Sequence, residues 1–164
     1  MTLPELIGSE YLVTRLVLLG VALTNIAFGV YVYVKNPKNL PNRMFAAFAG
    51  SLALWTLGLV LSRTPSSPPI LDRLVFVGAT LSFISLLALL KSFPQGATFQ
   101  GQWDLTFFTA IGTVIALLSF TPLIYREATV HEGRHQGFYG PLYPVFGTYV
   151  LSSFFVCVAT LWRR

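Results

Sequence analysis

Residues 16–34 read LVLLGVALTNIAFGVYVYV, an apolar run without a charged side chain. About 20 such residues, rising about 1.5 Å each in a helix, cross a hydrocarbon layer of about 30 Å. Four further uncharged runs follow at residues 44–62, 74–90, 105–125 and 136–162, and almost every charged residue lies between runs. The pattern predicts an all-α, polytopic integral membrane bundle forming one membrane domain over residues 1–164. Its five transmembrane helices are placed at about 11–34, 43–62, 70–92, 104–125 and 139–162. Strands of a membrane barrel need about 10 residues of alternating polarity, and runs such as 105–118 are too long and too continuously apolar.

Composition supports this. The chain is 54% hydrophobic and 10% charged, whereas soluble domains carry about 25% charged residues. The net charge of +5 forms no continuous basic stripe, so nucleic acid is not an expected partner. Cys157 is the single cysteine, which excludes an intrachain disulfide and a cysteine metal cluster. It reads as a small packing residue. The first run is longer than a signal-peptide core and no A-x-A site follows it, so it reads as a retained helix preceded by a short interfacial lead-in, residues 1–10.

The connections carry the polar chemistry. The first, Lys35-Asn-Pro-Lys-Asn-Leu-Pro-Asn-Arg43, has helix-ending Pro and Asn, with Asn42 a candidate cap of the second helix. The second holds three prolines between Arg63 and Arg73, and the third, residues 91–104, is polar and contains glycine. With five spans, one side collects Lys35, Lys38, Arg43, Lys91, Arg163 and Arg164 against the single acid Asp104. The other collects Arg63, Arg73, Arg126 and Arg134, with Arg15 near its edge, together with Glu5, Glu10, Asp72, Glu127 and Glu132. The positive-inside rule then puts the amino terminus out and the carboxyl terminus in.

The fourth connection, Arg126-Glu-Ala-Thr-Val-His-Glu-Gly-Arg-His135, is the densest polar segment. His131 and His135 have the i, i+4 spacing of helix-borne metal or haem ligands, but Gly133 intervenes and the segment reads as a loop. Solvated or hydrogen-bonded histidines, or a pH-sensing pair, fit better, and no metal site is expected. Arg126, His131, His135, Tyr139 and Tyr143 are candidates for the lip of an outer ligand pocket. The tyrosines read first as interfacial anchors. Trp55, deep in the second run, is a packing residue or a cavity wall. Asn25 is expected to bond across helices, and Gly50, Gly58, Gly78 and Gly112 to let helix backbones approach closely. No phosphate-binding loop, zincin or nucleophile-elbow motif is present, and no carboxylate pair lies inside a span. The chain is therefore not expected to be an enzyme.

Three stretches resemble a known family. They are Asn36-Pro-Lys-Asn-Leu-Pro-Asn-Arg-Met-Phe45 leading into Leu54-Trp-Thr-Leu-Gly58, Leu71-Asp-Arg-Leu-Val-Phe-Val-Gly78, and Gly137-Phe-Tyr-Gly-Pro-Leu-Tyr143 followed by Tyr149. In order and spacing, over residues 11–162, they are similar to the first five helices of the amino-terminal seven-helix membrane sensor region of bacterial and archaeal histidine kinases. The resemblance implies a multi-pass protein of the cytoplasmic membrane that senses or relays a signal to a cytoplasmic output partner. Helices six and seven and a kinase domain do not appear in this sequence, so a fragment and a short relative both remain open. The alternative expectation is a structural accessory subunit of a larger, possibly bioenergetic, membrane complex. There, 14 Phe, 7 Tyr and 3 Trp would pack against lipids, pigments or neighbouring subunits. No cofactor is predicted.

Overall fold

The structure, a computed structural model, describes residues 3–62, 68–93, 103–131 and 134–162, with the backbone alone over residues 3–11 and 127–136. Five helices and one hairpin follow in order: α1 (Leu3–Lys35), α2 (Leu40–Ser62), α3 (Pro69–Ser92), α4 (Trp103–Leu118), β1 (Tyr125–His131), β2 (Arg134–Tyr139) and α5 (Tyr143–Trp162). Four helices are long and apolar enough to cross a membrane: α1 over Leu12–Lys35, α2, α3 and α5. The fourth is a shorter apolar helix of 16 residues. Arg63, Arg163, Arg164, Glu132 and Gly133, with residues 63–67 of the second connection and 94–102 of the third, lie outside the described residues.

Proline sets most helix ends. Pro68, extended at φ −66° and ψ 145°, precedes α3, and Pro69 fills its first position, where a missing N–H costs nothing. Phe93 is extended at φ −98° and ψ 143°, as the residue before Pro94 must be. Two expected boundaries move. The fourth helix, expected to reach residue 125, ends at Leu118. There the hydroxyls of Ser119 and Thr121 donate to the carbonyls of Ile115 and Leu118 at 2.8 and 2.6 Å, and Pro122 has no N–H to continue the ladder. The fifth helix, expected from about residue 139, begins at Tyr143. The residues before it pair instead as an antiparallel strand, and Gly140-Pro141 separates strand from helix. The lead-in, expected to be separate from the first helix, is helical from Leu3.

The bundle is antiparallel where α2 meets α3, and α3 and α5 run parallel, with Phe76 against Phe146 at one end and Leu87 and Ala88 clustered with Cys157 at the other. Trp55 backbone meets Gly78, Ser51 faces Ser85, and Met44 packs against the Leu87–Ala88–Leu105–Cys157 cluster, so α2 and α3 run in opposite directions. A Cβ on Gly78 would stand 2.7 Å from the Trp55 backbone, so only glycine allows this approach. Lys91 at the end of α3 pairs with Asp104 at the start of α4. α3 is the central element, packed on α2, α4, α5 and β1, while α1 packs on α2. A second cluster, Ile115, Ile124 and Tyr149, closes the other end with Phe76 and Phe146.

Polar side chains on the helices largely satisfy themselves. Thr24, Ser51, Thr56, Thr80, Ser82, Ser85, Thr113, Thr148 and Thr160 each donate to the carbonyl four residues back, at 2.6–2.9 Å. Such back-bonding is what a helix surface without water requires. Asn25, expected to bridge helices, also bonds back, to the Val21 carbonyl at 3.0 Å. The bridging amide is Asn42, whose Nδ2 donates to the Val32 carbonyl of α1 at 3.0 Å. It stands inside the first turn of α2 and is not its cap.

Candidate functional site

The hairpin and the helix ends beneath it form the most elaborate polar and aromatic arrangement in the described chain. It is assembled from three sequence-distant pieces. Asp72 and Arg73 sit in the first turns of α3. The Arg73 guanidinium donates to the Phe120 carbonyl at 2.8 Å, holding one of the carbonyls left open where α4 ends. Tyr125, the first residue of β1, is 5% exposed, and its phenol lies near the Asp72 carboxylate. Burial, then the neighbouring Asp72 carboxylate, pushes the Tyr125 phenol well above its usual range, because both disfavour the phenolate.

Aromatic rings continue the connection to α5. Phe76 lies one turn beyond Asp72, 5.5 Å from the Tyr125 ring, and meets Phe146 and Tyr143 edge-on at 5.1 and 6.2 Å. Tyr139, the last residue of β2, stacks on Tyr143, the first of α5, at 4.0 Å. The backbone fixes this junction: Gly140 N–H donates to the Ile124 carbonyl at 2.9 Å and Leu142 N–H to the Leu123 carbonyl at 2.8 Å. A Cβ on Gly140 would collide with the Leu123 carbonyl, so this seam admits no side chain.

The anticipated outer residues fall in two places. Arg126, His131, His135 and Tyr139 belong to the hairpin and Tyr143 to the helix it adjoins. The strand register sets His131 opposite Arg134 and His135 opposite Val130, so the two histidines are not cross-strand partners, and the helical i, i+4 geometry does not apply. Their side chains lie outside the described residues, as do those of Glu127 and Arg134. Trp55 belongs to the α2/α3 crossing: the residue is 36% exposed and its backbone abuts Gly78. Among the glycines, Gly58 lies against Val75 and Gly112 against the Tyr149 hydroxyl, whereas Gly50 faces open space.

Sequence reasoning does not single out Asp72, Arg73, Phe76, Tyr125 and Phe146 as site residues. A signal is present in Leu71-Asp-Arg-Leu-Val-Phe: an acid and a base side by side at the mouth of an apolar run, with an aromatic residue one helical turn further on. Among the described residues no group of three or more His, Cys, Asp or Glu is placed to hold a metal ion. The arrangement is built to hold a cap onto helix ends. No family model, no curated protein and no solved structure matches the chain.

Proposed function

We propose that the protein is a membrane-embedded, non-catalytic sensing or relay module whose outer hairpin reports to a partner on the opposite, cytoplasmic side. The observation that carries the reading is the double attachment of the hairpin. Its first strand is held to α3 by Tyr125, whose ring packs on Phe76 with Asp72 nearby, and its second abuts α5 through Tyr139 and Tyr143. A displacement of the hairpin therefore acts on two helices that end on the far side. In this reading all five helices cross. α4, at 16 residues, spans about 24 Å and the apolar turn at 119–124 completes the passage. Lys35, Lys38, Arg43 and Lys91 then lie inside and the hairpin outside, the arrangement favoured by the positive-inside rule. The resemblance to histidine kinase sensor regions supports the same direction of signalling.

A second reading, a structural subunit of a larger membrane assembly, is favoured by α1. Only 11% of its most apolar stretch is buried, against 39% for α3, which leaves a broad helix face for a neighbour. Extraction in mild detergent followed by identification of co-purifying proteins separates the two. Capture of a cytoplasmic signalling protein, weakened by Asp72→Asn, supports the relay. Recovery in a large complex that Asp72→Asn leaves intact supports the structural role and sets the relay aside.

A further inference from the structure

We propose that the groove between α1 and α2 binds an anionic glycerophospholipid, with an acyl chain in the groove and the phosphate at Arg43. The proposal rests on the reading that the chain crosses a membrane. The groove has a volume of about 210 Å³ and is walled by Ile26, Gly29, Val30, Tyr33, Ala46 and Gly50. Its surface is almost wholly apolar. Gly50 leaves a gap: a Cβ there would meet nothing within 4 Å. This is a trough of acyl-chain character beside the α1/α2 contact, where Gly29 lies against Ala46 and Ala49.

Charge identifies the occupant. Arg43, Ala46 and Gly50 stand at i, i+3 and i+7 on α2, one side of the helix, and Arg43 is exposed. The trough therefore runs along α2 toward a guanidinium, and exposed Lys38 lies in the adjoining turn. That turn is fixed by Asn39 N–H to the Asn36 carbonyl, Arg43 N–H to the Asn39 carbonyl, both 3.2 Å, and the Asn42 bridge to α1. Basic pockets between helices on the cytoplasmic side suit anionic headgroups. A zwitterionic lipid would bring an ammonium beside the same bases. A second copy of this chain fits poorly, because residues 16–34 and 44–62 contain no acid and the basic turns of two copies would repel.

The test uses the full chain in detergent, offered equal phosphatidylglycerol and phosphatidylcholine and examined by native mass spectrometry. Flotation with liposomes after carbonate extraction is measured in parallel. The expected result is retention of phosphatidylglycerol over phosphatidylcholine by about fivefold or more, lost in Arg43→Gln and kept in Arg43→Lys, since one interfacial base contributes about that factor. Gly50→Leu, which fills open space, lowers retention of both lipids with an unchanged melting temperature. Equal retention of the two lipids by the wild-type chain, or an undiminished preference in Arg43→Gln, overturns the site while flotation still upholds the membrane reading. A lipid-free dimer that Gly50→Leu makes monomeric also overturns it. Failure to float overturns both.

Discussion

Tyr125, at the start of the hairpin, is buried with its phenol beside the carboxylate of Asp72 in the first turn of α3. The two residues are far apart in sequence, and their contact closes the whole α3–α4 hairpin of helices. A polar contact of this kind contributes about 1 kcal/mol. Tyr125→Phe, which keeps the ring against Phe76, is expected to loosen the hairpin by about that amount. Hydrogen exchange at the strand amides would show it as faster opening, with the exchange of α1 unchanged. A double-mutant cycle with Asp72→Asn should give coupling between the two positions; additive effects would mean that the contact contributes little.

The same contact gives a pH dependence of definite sign. The folded-state value of the Tyr125 phenol lies above its unfolded value of about 10, held up first by burial and then by Asp72. The folded chain therefore binds this proton more tightly than the unfolded one. The contribution is fully present below about pH 10 and declines as pH rises from there through the folded-state value. Phenolate absorbance should show a component ionising later than free tyrosine, and Tyr125→Phe should reduce it by one residue. A wild-type chain whose seven tyrosines all ionise together with free tyrosine would contradict the buried placement beside Asp72.

Close helix approach at Gly78 predicts a sharp contrast between glycines. In Gly78→Ala the new methyl meets the Trp55 backbone at 2.7 Å, and backbone cannot rotate away as a side-chain tip can. A cost of about 1–3 kcal/mol is expected from overpacking. Gly20→Ala, where nothing lies within 4 Å, should be neutral or stabilising by a few tenths of a kcal/mol, since alanine is the better helix former. Thermal unfolding in detergent, followed by circular dichroism, compares the two directly.

The runs that form helices are legible because length and unbroken apolarity leave a chain in lipid few alternatives. The helices expected at about 43–62 and 70–92 are found at Leu40–Ser62 and Pro69–Ser92 for that reason. The hairpin is not legible, because Tyr125 and residues 136–139 continue apolar runs and carry no charge that separates strand from helix. The clearest local sign is Ser119-Phe-Thr-Pro122, where Ser, Thr and Pro each weaken a helix. Asn25 and Asn42 both depart from their expected roles for a geometric reason. An amide in mid-helix reaches its own carbonyl four residues back, while one in the first turn of α2 faces the last turn of α1. The aromatic contacts among Phe76, Tyr125 and Tyr143 depend on three elements meeting, which no local pattern encodes.

Asn42 carries the last prediction. Its amide donates to the Val32 carbonyl across the α1/α2 turn and lies 3.4 Å from the Asn39 amide. Val32 is within one turn of the end of α1 at Lys35, where carbonyls begin to lack helical partners. Removing the donor leaves that carbonyl without its cross-helix partner in an apolar setting, at a cost of about 1–2 kcal/mol. Asn25→Ala removes a back-bond that the helix does not need, because the Val21 carbonyl also accepts from its own ladder, and should cost less than about 0.5 kcal/mol. Asn42→Ala is therefore expected to release α1 from α2 first. Cysteines at Gly29 and Ala49, whose Cβ positions lie 3.1 Å apart, placed in a Cys157→Ser background, would report it as slower disulfide formation. Equal rates with and without the Asn42→Ala substitution would show that the small-residue contact alone holds the two helices together.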